Sequence, residues 1–340
     1  MHWFEKRAWS VLLLGALGAG AHATEGTSLR ALNGAPAAEV TSPQFPGWYG
    51  QLWMQHYRAD KLRDDAGRAP ALRTEDTLVG PLDVERQARI RANVLVARAT
   101  WLSDMRWGEG KFGVSVTVPF AEVDQQIQLR ARFPSTLSEP LKGLVNERLA
   151  LIGGRASGKR HGLGDTELMP YFDWQTDTYR YALGLGLVAP TGDYDPDREF
   201  NTGAGNFWTL RPLVLGGYSF ENGLSIGARA TYSINGENRD TGNRSGQYFA
   251  GDASVNYSVN DAWRVGVQGY ANLQTTEDRC ADPVKSRCGK ARVYGLGPVV
   301  SFTSEDGRLF IDAKFLREFG GRNRPEGTTF WVRANFRLDE

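Results

Sequence analysis

Three things are scarce in this chain. It has two cysteines and four histidines in 340 residues, a formal charge of only +1, and, beyond its first two dozen residues, no apolar run long enough to cross a bilayer as a helix. Each scarcity excludes a class. Without a run of about eighteen apolar residues there is no transmembrane helix. Without a basic excess there is no electrostatic footprint for a nucleic acid. His56 and His161, the two histidines outside the leader, fall in no Ser-His-Asp, zinc or dinucleotide pattern. No catalytic residue, metal or cofactor is therefore expected.

The first residues set the compartment. Lys6 and Arg7 precede an apolar run from Ala8 to Ala19, and Ala21-His22-Ala23 offers small residues for a signal peptidase, so residues 1–23 read as a secretory signal peptide. Its removal takes two basic residues and Glu5 from the formal +1, leaving a net charge of zero. In an exported chain Cys280 and Cys288 read first as a disulfide within one polar loop, with metal binding as the rival.

Glycine and aromatic residues are plentiful, with 40 Gly, 10 Trp and 12 Tyr, and they accompany short stretches of strict alternation. From Leu224 to Ile234 one face carries Leu224, Ile226, Ala228 and Ala230 and the other Ser225, Gly227, Arg229 and Thr231. Phe249, Ala253 and Val255 oppose Tyr248, Asp252 and Ser254 in the same way. Such alternation suits a two-faced strand. An outward Arg at mid-membrane costs roughly 2–4 kcal/mol, so Arg229 and Asp252 turn inward if the chain crosses a membrane. The negative mean hydropathy, −0.42, is compatible with this, because only every second residue meets lipid.

Strands read at 48–57, 89–101, 111–120, 163–174, 179–190, 207–220, 223–235, 247–259, 262–275, 291–303, 308–319 and 328–338. Tight links such as Glu221-Asn222 and Asn260-Asp261 alternate with long polar ones at 58–88, 121–162, 191–206, 236–246, 276–290 and 320–327. Tight turns on one side and long loops on the other, with an even strand count, predict an all-β, transmembrane, antiparallel up-and-down barrel of about twelve strands. Trp48, Trp101, Trp174, Trp208, Trp263 and Trp331 near strand ends suit interfacial girdles. The expected organisation is signal peptide 1–23, periplasmic arm 24–46 and barrel 47–340; the small, Ser- and Pro-containing arm could also reach into the lumen.

From about Gly162 to Leu338 the sequence resembles the family of outer-membrane proteins named for the meta-pathway of phenol degradation. The words that carry this are Gly162-Leu163-Gly164-Asp165, Ala189-Pro190-Thr191-Gly192-Asp193-Tyr194, Asn206-Phe207-Trp208, Gly295-Leu296-Gly297-Pro298, Glu318-Phe319 and Asn323-Arg324-Pro325-Glu326-Gly327. The long segment 121–160 and the end at Phe336-Arg337-Leu338-Asp339-Glu340 depart from it. The resemblance implies an outer-membrane barrel for small organic, often aromatic, solutes, and assigns no functional residues.

The expected activity is therefore passive passage of a small hydrophobic or aromatic solute, with a structural or adhesive barrel and a barrel enzyme acting on lipids as alternatives. Lumen candidates are Arg91, Arg180, Arg211, Arg229, Asp252, Arg264, Tyr270, Arg292, Asp312 and Arg333, accompanied by Asp165, Glu167, Lys314 and Glu318. These mixed charges either line a path or simply fill the barrel. Ser138-Glu139-Pro140 followed by Leu141, Leu144, Val145 and Leu149 predicts a capped amphipathic helix that narrows the mouth or packs on the rim. Asp193, Asp195, Asp197 and Glu199 read as a solvated acidic loop rather than a calcium site. Expected partners are membrane lipids and lipopolysaccharide, the solute, and the barrel assembly machinery and periplasmic chaperones during biogenesis.

Overall fold

The computed structural model describes residues 30–35, 37–74, 81–198, 200–281 and 289–339. The signal segment, Glu199 and Cys288 lie outside them. Cys280 is not a free thiol, but the Cys280–Cys288 link stays an expectation.

Fourteen strands are present among the described residues: β1 (Gly47–Arg63), β2 (Ala71–Thr74), β3 (Leu82–Trp107), β4 (Gly110–Arg132), β5 (Gly158–Leu163), β6 (Thr166–Gln175), β7 (Tyr179–Ala189), β8 (Thr209–Ser219), β9 (Leu224–Asn235), β10 (Tyr248–Ser258), β11 (Trp263–Gln274), β12 (Arg292–Thr303), β13 (Leu309–Arg322) and β14 (Arg324–Arg337). One α-helix, α1 (Glu139–Arg155), follows β4, and a short 3-10 turn, Ala38–Thr41, precedes β1. Each barrel strand pairs antiparallel with its neighbour, and β1 joins both β3 and β14, so twelve strands close on themselves while β2 and β5 flank β3 and β4 as short additions. Closure leaves the barrel without an open edge.

The faces are inverted relative to a soluble protein. Leu52, Met54, Leu95, Leu183, Leu185, Val255 and Val267 are exposed on the outer wall, whereas Ser115, Gln268, Asn272, Asp312 and Lys314 are almost wholly buried inside. The lipid belt explains the first group and the polar lumen the second. Aromatics crowd the end that carries the tight turns, where Trp174 stacks on Tyr181 at 5.0 Å and Trp263 meets Phe302 at 5.0 Å. Trp331 is an exception to the expected girdle. It points inward and is fully buried.

All twelve expected barrel strands are present; the differences lie in the links. The segments 58–88 and 121–162 are largely ordered, because β1, β3 and β4 run past the membrane: β3 has 26 residues and β4 has 23, against the ten or so that an oblique crossing requires. Their outward residues beyond the belt are polar, as in the cross-strand row Arg58, Arg91, Asp124. The 103–110 link shrinks to a turn at Gly108, and 320–327 becomes a continuous hairpin turning at Asn323, whose φ is 49°. Helix α1 packs through Leu149 against Leu82 and Val84, on the inward face of this extension. Leu144 stays exposed, Leu141 is marginally so, and Val145 is half-buried.

Candidate functional site

Residues 30–46 do not lie along the periplasmic rim. The described residues of this arm, 30–35 and 37–46, run through the lumen, from the loop end at Arg30 to the turn end at Gln44, before the chain enters β1. Small side chains make this possible: Ala35, Ala37 and Ala38 have no exposed surface, and the wall opposite is thinned by glycine. A Cβ on Gly227 would lie 3.0 Å from the Ala37 carbonyl oxygen and 3.0 Å from Val40 Cβ, so a larger residue on β9 would press the arm away from the wall.

The arm's backbone polar groups must be satisfied inside the barrel, and the lumen side chains do this in register. Arg30 donates to the carbonyls of Phe207 at 2.6 Å and Gly205 at 2.8 Å and pairs with Asp165 at 2.9 Å. Asp252 accepts the Gly34 N–H at 2.9 Å, and Gln268 donates to the Gly34 carbonyl at 2.8 Å. Trp331 donates to the Asn33 carbonyl at 3.0 Å and Lys314 to that of Ala35 at 2.6 Å. Glu39 receives both terminal nitrogens of Arg333, at 2.8 and 2.6 Å, and Arg333 also holds Asp312. Farther down, Arg264 donates to Thr41 and Ser42, and Arg180 to the Ser42 carbonyl and Gln44 while paired with Asp173.

The arm leaves space beside it. A cavity of about 250 Å³ opens at the loop end, bordered by Arg30–Asn33, by β1, β3 and β4, by Glu318, Arg324 and Pro325 around the β13–β14 turn, and by Asp165, Glu167 and Arg211. On β3 and β4 its wall is apolar where a water-filled barrel would be polar: Ile90, Ala92, Val94, Pro119, Ala121 and Val123 all face it. A smaller space of about 50 Å³, bounded by Gln51, Arg98, Tyr171, Arg180 and Arg229, continues toward the turn end. Between them Val96 and Ser115 are fully buried, and Arg98 donates to Ser115 Oγ at 2.7 Å. The two spaces share the wall of β1, β3 and β6.

Of the residues singled out from sequence, Arg180, Arg211, Arg229, Asp252, Arg264, Tyr270, Asp312 and Arg333 lie inside, as do Asp165, Glu167, Lys314 and Glu318. Most grip the arm or one another: Arg211 reaches Glu167, Tyr248 and the Arg30 carbonyl. Two expectations are corrected. Arg91 is exposed on the outer wall of β3, and Arg292 lies on the face opposite buried Val293. Arg91 lies on the part of β3 that runs past the lipid belt and Arg292 at the loop-side start of β12, so an outward charge there is spared the cost of facing lipid.

Sequence reasoning missed Arg30, Glu39, Arg98 and Trp53. Arg98 carried a usable signal, because it sits at membrane depth on β3 and its inward turn alone would have set the register that Arg91 obscured. Asp193 accepts the Leu163 N–H at 2.9 Å and Asp195 pairs with Arg198, so both serve the loop itself.

A family model described as "Putative MetA-pathway of phenol degradation" matches residues 59–334. Among solved structures the chain is similar to an outer membrane channel from Pseudomonas putida F1, at 11% identity and a TM-score of 0.66, covering 89% of this chain and 100% of that one. The shared fold is therefore the complete barrel. It also matches the CymD monoaromatic hydrocarbon channel, at 12% identity and a TM-score of 0.42 over 96% and 99% of the two chains. The toluene transporter TbuX from Ralstonia pickettii matches at 11% identity and a TM-score of 0.39 over 96% and 100%. No curated protein matches by sequence.

Proposed function

This chain belongs to the MetA-pathway family of phenol degradation, and from that premise we propose that it is an outer-membrane channel for the passive uptake of small hydrophobic or aromatic compounds. The observation that carries the reading is the apolar sector of an otherwise polar lumen. Ile90, Ala92, Val94, Pro119, Ala121 and Val123 present hydrocarbon to a cavity of about 250 Å³, which is larger than the engineered apolar cavity of about 150 Å³ that takes up benzene. A ring entering from the loop end loses its hydration against this wall and gains roughly 25 cal/mol per Å² of apolar surface buried. Water and ions gain nothing there.

In this reading the arm fills much of the rest of the lumen and blocks a wide path for hydrated inorganic ions, and the constriction at Val96 and Ser115 separates the loading cavity from the periplasmic exit. The protein acts as a passage and not an enzyme. Lipid contacts the outer belt, lipopolysaccharide faces the polar outer strip of β1, β3 and β4, and the barrel assembly machinery with periplasmic chaperones delivers the chain.

The test is single-channel recording of the purified full chain in planar bilayers, with phenol and toluene in the bath, beside solute uptake by cells with and without the protein. Small openings that either solute blocks, together with uptake that depends on the protein, are expected. A stably inserted barrel that no solute affects, in cells whose uptake is unchanged by its loss, would refute the reading and favour a structural or adhesive role.

A further inference from the structure

The turn Asn323-Arg324-Pro325-Glu326-Gly327 crosses the rim of the larger cavity, and four of its five residues have evident structural work. Asn323 adopts the left-handed conformation that reverses the chain, and its backbone and side-chain N–H groups donate to the carbonyls of Asp64 and Lys290, each at 3.1 Å. Pro325 is buried beside Leu62 of β1. Glu326 accepts from Arg63 at 2.9 Å and from the Gly321 N–H at 3.0 Å. Gly327 lies so close to β1 that a Cβ would stand 2.1 Å from the Arg58 carbonyl oxygen, and its N–H donates to Glu318 at 2.8 Å.

Arg324 has no such task. Its side chain is only 11% exposed and lines the cavity, its Nε is buried without a partner, and it donates no hydrogen bond to any described residue. Its nearest carboxylate, Glu318, stands 3.9 Å away. That carboxylate is already engaged by the hydroxyls of Tyr270 at 2.7 Å and Tyr57 at 2.8 Å and by Gly327. A guanidinium brings five donors, and burying them without acceptors is costly.

The other charged groups around the cavity are committed. Arg30 is spent on two carbonyls and Asp165, and Arg211 on Glu167, Ser233 and Tyr248. Asp165 also accepts the N–H groups of Gly192 at 3.1 Å and Ala204 at 3.0 Å. The donor capacity left at this cavity is therefore cationic, fork-shaped and set on the rim of an apolar-walled space.

We propose that Arg324 binds the acidic head of an amphipathic solute, so that the cargo this cavity selects is a small aromatic carboxylate whose ring lies on the apolar wall. The inference rests on the channel reading above and narrows its substrate class. The planar fork suits a carboxylate in two-point contact.

The test compares benzoate with benzyl alcohol, which has the same ring and no charge, by isothermal titration of the full chain in detergent. The variants are Arg324→Gln, Arg324→Lys and, as a charge-matched control on the outer wall, Arg91→Gln. Wild type is expected to bind benzoate more tightly than benzyl alcohol. Arg324→Gln should weaken benzoate about 10- to 100-fold, the range of charge-assisted hydrogen bonds, and leave benzyl alcohol within about 2-fold. Arg324→Lys should restore part of the loss and Arg91→Gln should change nothing. Unchanged heat-modifiable migration on gels checks that each barrel is folded. Benzoate affinity equal in wild type and Arg324→Gln, with benzyl alcohol still bound, would overturn the inference and leave the channel reading standing. Binding of neither compound by wild type would sink both.

Discussion

The chemistry of the lumen is decided by a few charged side chains, and Glu39 is the most informative. Its carboxylate takes the two terminal nitrogens of Arg333 and so ties the arm to β14. In Glu39→Gln hydrogen exchange of residues 30–45 should quicken at neutral pH, because Arg333 loses its ion pair with the arm, a loss of roughly 1.5–3 kcal/mol for a hydrogen bond to a charged group. Exchange as slow in Glu39→Gln as in wild type would show that another group holds the arm.

At the scale of elements, the arm and helix α1 compete for the role of gate. The arm occupies the lumen along its length, whereas α1 rests on the extension of β3 and β4 through Leu149 and Gly153, the latter so near the Ile127 carbonyl that a Cβ would stand 2.8 Å from it. No residue of α1 borders the larger cavity. Removing residues 30–45 is expected to raise ionic conductance several-fold, since the polar wall would then line an open pore. Removing residues 138–152 should leave conductance near wild type and expose Leu82 and Val84 to protease attack on the extension. A conductance that rises only after the helix is removed would reverse this assignment.

The same elements show what the sequence could disclose. Strands β9 and β10 were readable because Arg229 and Asp252 lie at membrane depth, where lipid forbids the opposite face. The arm was not, because Ala, Ser and Pro suit an extended chain in water as well as one threaded through a lumen, and the partners that fix it, Arg333 and Lys314, lie nearly 300 residues away. Helix α1 was placed correctly in the sequence by its Pro140 start, although Ser138 makes no side-chain cap, and the surface it covers is made by strands that read as loop. Tyr270 and Glu318 could be assigned to the lumen, yet their shared contact with Tyr57 depends on barrel closure.

For the whole molecule, one physical rule orders these results: a side chain's sign and polarity dictate its face only within the apolar band. Leu183 and Leu185 on β7 lie midway between the turn at Tyr179 and the loop at Ala189, exposed by 52% and 51% on the outer wall. Arg91 lies on the same outer wall of the barrel but on the part of β3 that has left the band. The rule predicts opposite responses to the introduction and removal of charge at these sites. Leu183→Arg should cost roughly 2–4 kcal/mol and lower the urea midpoint of the refolded barrel in lipid vesicles by an amount readable against wild type. Arg91→Leu should move that midpoint by no more than about 0.5 kcal/mol in equivalent stability. Both follow from depth alone, since neither residue touches the arm or the cavity. A large effect at Arg91 with a negligible one at Leu183 would mean that the band lies higher on the barrel. The apolar sector from Ile90 to Val123, and the cavity it walls, would then sit within the membrane and open toward lipid instead of the outer medium.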